Sequence, residues 1–204
     1  MQILSLAYYI LGNFKDISPM KLQKLLYYVK AWSMVGKYPV VHEPFEKWQY
    51  GPVNDEVYQK FRNYGSGKIS YSHSLPFLIE PESHEKKTID FILECYAPFD
   101  AITLSSMTHQ DVPWKKTPLN RVISEKLMLD YYSKMPFARN FPLDASKPFY
   151  PVETDFHYAY IFDMDEKSAQ ELYYPSYSKY KQLVQENTLL LENSISKINS
   201  ANGA

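Results

Sequence analysis

The residues in this chain that offer chemistry are few. The densest group is Thr108-His109-Gln110-Asp111-Val112-Pro113-Trp114. A histidine beside a carboxylate can act as a general base with its orienting partner. Here the two lie only two positions apart, no serine or cysteine sits in a recognisable nucleophile elbow, and no oxyanion motif accompanies them. The spacing reads as a helix-end hydrogen-bonding histidine beside a buried tryptophan, and no catalytic residue is assigned. Metal chemistry finds less. His42, His73, His84, His109 and His157 show no His-x-x-x-His spacing, and the single cysteine, Cys95, rules out both Cys-x-x-Cys and an internal disulfide. Cys95 falls in an apolar helical pattern and reads as a small buried hydrophobe. Asp163, Asp165 and Glu166 lack the glycine and terminal glutamate of a calcium loop, and helix capping explains them. Gly65-Ser66-Gly67-Lys68 lacks the spacing of a phosphate loop. No metal or cofactor is expected.

What remains is surface for recognition. The chain has 204 residues, 16% of them aromatic, and 19 are tyrosine. Tyrosine joins an apolar ring to a polar tip and suits half-buried faces and interfaces. Tyr173, Tyr174, Tyr177 and Tyr180 form a dense patch that either meets a partner or packs the chain against itself. Trp48 and Tyr50 flank Gly51-Pro52, and both are expected to bury against the helices on either side. The alternative is a partner-facing pocket rimmed by Trp48. The formal net charge is −1 and no basic run stands out, so nucleic acid is not an expected partner. Met1-Gln2-Ile3-Leu4 has no basic leader, and no apolar run approaches the ~20 residues of a membrane helix. A cytoplasmic protein without membrane attachment is expected.

The elements that position these residues are mainly helical. Ile3, Leu6, Ala7, Ile10 and Leu11 share one face of a helix over 2–12. Ser18-Pro19 opens a second helix and Gly36 ends it. Its apolar stripe is Leu22, Leu25, Leu26, Val29 and Trp32, with Lys21, Lys24 and Lys30 read as the wet face. Residues 37–50 read as an extended connection with a short strand at Val40-Val41. Gly51-Pro52 is predicted to start a third helix that ends at Gly65 and Gly67. Residues 68–82, with Pro76 and Pro81, read as irregular. Further helices are predicted over 84–96, over 101–109 capped by Asp100, and from Ser124 to near Lys134. A compact unit over 1–136 follows. Beyond it, 137–157 reads as a linker or wrapping arm, His157–Phe162 as a possible strand, and Asp163 or Asp165 as the cap of a short helix. A final amphipathic helix runs from Ser176 to about 199, followed by a frayed end. Docking on its own domain or on a partner both fit its incomplete heptads. The expected fold class is mainly α: a compact multi-helix domain with short irregular or strand segments, and an extension over 137–204 ending in that helix.

Taken together, Leu22, Lys24, Leu25, Leu26 and Tyr27, then Trp48, Tyr50, Gly51, Pro52 and Val53, then Thr108, His109 and Trp114 resemble one family. It is the Panacea domain, the SocA-like antitoxin domain related to phage-associated GepA proteins. The resemblance covers about 19–134. Lys47 departs from it, standing where the family often has a small residue, and the region from about Phe137 onward is not part of the shared domain. The resemblance implies a non-enzymatic antitoxin of a two-gene toxin–antitoxin system with a role in phage defence. Such a protein binds and neutralises the toxin encoded beside it, in a complex that can include a homo-oligomer. Trp48, Tyr50, His109, Trp114, Tyr173, Tyr174, Tyr177 and Tyr180 are the candidate partner-binding residues. The slight acidity matches a toxin with a basic face. The alternatives are an adaptor that delivers the toxin to a protease, an enzyme using His109 and Asp111, and a transcriptional autoregulator, against which the lack of a basic recognition helix argues.

Overall fold

The structure is a computed structural model that describes residues 1–71, 83–152 and 173–202, with side chains described as far as 196 in the last segment. The chain divides into two compact units, Met1–Ala138 and Arg139–Ala204. The proline breaks at Pro76 and Pro81, the strand at 157–162 and the caps at Asp163 and Asp165 lie outside the described residues.

The first unit is built round one helix. In chain order it holds α1 (Ile3–Asn13), α2 (Pro19–Val35), β1 (Glu46–Trp48), β2 (Gly51–Val53), α3 (Asp55–Phe61), α4 (His84–Tyr96), α5 (Ala101–Gln110), α6 (Val112–Lys116) and α7 (Glu125–Tyr132). Local signals set most of these ends. The side chains of Ser18, Asn54, Ser83, Asp100 and Ser124 each accept a backbone N–H from the first turn of the helix that follows, and Pro19 needs no such partner for its own nitrogen.

α2 lies at the centre and packs against α1, α3, α4, α5, α7 and β2. Leu22, Leu25, Leu26, Val29 and Trp32 are fully buried as the stripe predicts. So is nearly everything else from Leu22 to Ser33. Lys24 and Lys30 are each 1% exposed, which corrects their reading as a wet face. The physical reason is long-range. The segment after α2 folds back over that face and supplies carbonyl oxygens to the two ammonium groups, since a buried charge must find such partners. Lys30 Nζ donates to Val41 O at 3.4 Å, Glu43 O at 3.0 Å and Glu125 Oε1 at 2.6 Å. Lys24 Nζ donates to Pro52 O at 2.9 Å. Only Lys21 keeps partial exposure, and its Nζ reaches Ala97 O at 2.7 Å.

Two further expectations are corrected. Val40 and Val41 are buried but form no strand. The Val40 N–H goes instead to Ser33 Oγ at 3.2 Å. Gly51-Pro52 does not open a helix. It begins β2, which pairs antiparallel with β1 in the register Glu46↔Val53, Lys47↔Pro52 and Trp48↔Gly51, and α3 starts only after the Asn54 cap. Gly51 has φ +103°, a conformation open to glycine and not to a residue entering a helix.

The second unit joins Phe149 to Tyr174 by an antiparallel bridge, with N–H to O distances of 2.8 Å in both directions. Asn140 exchanges two hydrogen bonds with the backbone of Tyr150. Helix α8 (Tyr177–Asn202) follows, with Ser176 Oγ accepting the Lys179 N–H at 3.2 Å.

Candidate functional site

The β1–β2 hairpin is held by side chains. Three carbonyls in its short run each receive a donor from a neighbouring helix, and a histidine ring nitrogen faces a fourth. Trp114 Nε1 of α6 donates to Trp48 O at 3.2 Å, and Ser105 Oγ of α5 donates to Tyr50 O at 3.0 Å. His109 Nε2 of α5 lies 2.9 Å from Gln49 O, and Lys24 Nζ of α2 reaches Pro52 O. Gln23 of α2 closes the far end, accepting the Asn54 N–H at 2.8 Å and donating to Asn54 O at 3.0 Å. A two-stranded hairpin is marginal alone. Here the turn Gln49-Tyr50 is fixed because its carbonyls are already taken.

Close packing explains the glycine in this motif. A Cβ on Gly51 would stand 2.7 Å from Lys24 Cε, Lys24 Nζ and Thr108 Oγ1. No real side chain fits there. Lys24, Gly51 and Thr108 thus meet at one point, although they lie far apart in sequence. The outer edge is built likewise. Lys47 stacks its ammonium 4.1 Å from the centre of the Trp114 ring, and the His109 ring meets the same ring edge-on at 4.1 Å.

Against this hairpin lies an open cavity of about 540 Å³. Trp48, Tyr58, Met20 and Leu119 give it apolar walls, Lys24 and Arg62 are its charged lining residues, and Tyr50 stands at its edge. Trp48 is only half-buried: its ring lies 4.8 Å from that of Tyr58 on α3 and lines the cavity. Tyr50 is 67% exposed, which corrects the expectation that it buries: it sits at the tip of the turn and projects away from the core. Burial alone pushes the Lys24 ammonium down to about 7, because no carboxylate stands beside it to hold the charge.

His109 and Asp111 do not meet as base and orienter. His109 Nδ1 lies 2.7 Å from Ser105 O, so both ring nitrogens face carbonyls. Asp111 turns inward and accepts hydroxyls from Tyr28 at 3.4 Å, Tyr131 at 3.2 Å and Tyr132 at 2.6 Å. Burial raises its carboxyl to about 6 against the opposing effect of those hydroxyls. Trp114 is half-buried. In the second unit Tyr174, Tyr177 and Tyr180 gather round Phe149 at ring distances of 6.4, 4.9 and 4.6 Å, and Tyr173 is 56% exposed. Cys95 is buried. Among the described residues no cluster of His, Cys, Asp and Glu could hold a metal ion, and no helix is long and apolar enough to cross a membrane. Sequence reasoning did not find Lys24 and Arg62 as a pair lining one cavity. The available signal was the Lys24 position between Leu22 and Leu25-Leu26, next to the apolar stripe.

These features define a mainly helical domain wrapped round one buried helix, with a clamped hairpin over a cavity. Residues 22–115 match the family model of the antitoxin SocA-like Panacea domain, so the resemblance read from the motif residues holds over that segment. The match contains every side chain that clamps the hairpin. No curated protein and no solved structure matches the chain at a significant level.

Proposed function

We propose that this protein is the antitoxin of a two-gene toxin–antitoxin pair and neutralises a cognate protein toxin by direct binding. One observation carries the reading. Lys24, His109 and Trp114, three of the residues that bear the family resemblance, hold one hairpin by its carbonyls, and that hairpin presents Trp48 and an exposed Tyr50 beside a cavity. Side chains spent on rigidity rather than on a reacting centre suit recognition, where a preorganised aromatic anchor loses little entropy on binding. Neutralisation then works by occlusion, the toxin's active surface being covered. Trp48 and Tyr50 make the contact, and His109 and Trp114 position the turn that carries them. Tyr173 is a candidate for a secondary contact. Tyr174, Tyr177 and Tyr180 contribute less, because they are engaged with Phe149. The enzymatic alternative loses its main support, since His109 and Asp111 face different partners.

Co-expression with the gene encoded beside it tests this. Growth arrest by the neighbour alone, relieved by this protein with both chains in one stoichiometric complex, is the expected result. Rescue with disappearance of the toxin would replace occlusion by proteolytic delivery. A harmless neighbour that does not co-purify would overturn the antitoxin reading.

A further inference from the structure

The cavity beside the hairpin has a one-sided charge. Its charged lining residues are Lys24 and Arg62, and no aspartate or glutamate lines it, in a chain whose formal net charge is −1. Lys24 is buried, and its one described hydrogen-bond partner is the neutral Pro52 carbonyl. An ammonium has three donors, so this leaves donor capacity unused. Arg62 is exposed and makes no ion pair among the described residues, although the first unit forms such pairs elsewhere, as between Lys30 and Glu125. Trp48 and Tyr58 wall the same space with aromatic surface.

We infer that this groove receives a toxin segment presenting a carboxylate side chain to the exposed Arg62, in a groove whose wall includes the buried Lys24, with an adjoining apolar side chain against Trp48 and Tyr58. The inference rests on the antitoxin reading and names the chemistry of its contact. Charge complementarity selects the occupant. A basic or wholly apolar segment would leave Arg62 unpaired in a closing interface whose wall already holds the Lys24 charge, and an unpaired buried charge is costly. A carboxylate at Arg62 also brings an anion into the field of Lys24, which has none beside it in the free protein. Arg62, at the groove edge, adds a fork of donors suited to carboxylate. The net acidity of the whole chain points towards a basic toxin face, whereas the groove asks for a local acidic residue within whatever surface docks.

The probes are two blocked peptides, Ac-Phe-Glu-Leu-NH2 and Ac-Phe-Gln-Leu-NH2, titrated into the full chain at pH 6.5 while the Trp48 indole N–H is followed by NMR. The expected result is at least tenfold preference for the glutamate peptide. Arg62→Gln, a surface change that leaves the core untouched, should reduce the preference to twofold or less. Lys24→Met, which removes a charge buried in the groove wall, should reduce it partially. Equal binding of both peptides, or binding of neither, overturns the inference. So does equal competition by sodium acetate or inorganic phosphate, which would make the groove a small-anion site. A parallel arm measures retention of the co-expressed toxin by the wild type and by both variants. Full retention by both variants overturns the groove inference and leaves the antitoxin reading intact. A charge preference for the peptide in a protein that holds no toxin keeps the groove chemistry and removes the antitoxin reading.

Discussion

Replacing Lys24 by methionine should make the protein more stable at pH 6 and less able to neutralise its toxin. Lys24 is 1% exposed, and burial brings its ammonium from 10.5 to about 7. The depressed value means that the unfolded chain binds more protons than the folded one between about pH 7 and 10.5. Stability therefore rises with pH across that window, and the full cost of burying the charge is felt below it. At 1.36 kcal/mol per pH unit, that interval sets a ceiling of roughly 5 kcal/mol. Methionine removes this cost. It also leaves Pro52 O without its donor, which costs about 1–3 kcal/mol. The net expectation at pH 6 is a gain of up to roughly 2–4 kcal/mol. At pH 9.5 much of the wild-type penalty has gone while the lost hydrogen bond remains, so the advantage should shrink or reverse. Urea unfolding of both proteins from pH 6 to 9.5, read as the difference between them, cancels the other titrating groups. Two results would refute the reasoning: a Lys24→Met variant destabilised at pH 6, or a difference that does not change with pH.

Three further outcomes follow from the same geometry. Gly51→Ala combines a positive φ with 2.7 Å contacts to Lys24 and Thr108, and should cost about 2–4 kcal/mol in urea unfolding; Gly65→Ala, also at positive φ but with nothing within 4 Å, should cost clearly less. For Asp111 the folded pKa of about 6 lies above the ordinary 3.8, so its contribution is complete below pH 4 and is lost as pH rises through 6, up to roughly 3 kcal/mol; Asp111→Asn should flatten that limb of the stability profile. Tyr50→Ala removes an exposed ring and should leave the melting temperature within about 2 °C of wild type while lowering toxin affinity by roughly tenfold or more, read by calorimetric titration.

Much of the fold was legible because it is written locally. Ser18-Pro19, Asp100 and Ser124 announce helix starts through side chains that accept an N–H three residues on, and the Ile89, Ile92, Leu93, Tyr96 face of α4 follows from the helical period. The failures lie where a distant group decides. Gly51-Pro52 carries the local signature of a helix start. What makes it a strand is its pairing with β1 and the capture of Pro52 O by Lys24, which lies 28 positions earlier. Lys24 and Lys30 read as solvent-facing because charge prefers water, and nothing local shows that the carbonyls of residues 41–52 will close over them. The role of His109 as a hydrogen-bonding residue at a helix end beside a tryptophan was legible, since the predicted helix over 101–109 stops at it and leaves Asp111 outside. Their actual partners, Gln49 O and three tyrosine hydroxyls, were not. The motif order named the residues of the candidate site. The cavity they border depends on Arg62 and Leu119, which no motif contains.

Hydrogen–deuterium exchange of the full chain, alone and with the toxin encoded beside it, tests the central claim most directly. Protection on binding is expected on the hairpin and the elements around its cavity, residues 19–24 and 48–62. Protection confined to residues 173–202, or none on the hairpin in a complex that neutralises the toxin, would contradict it.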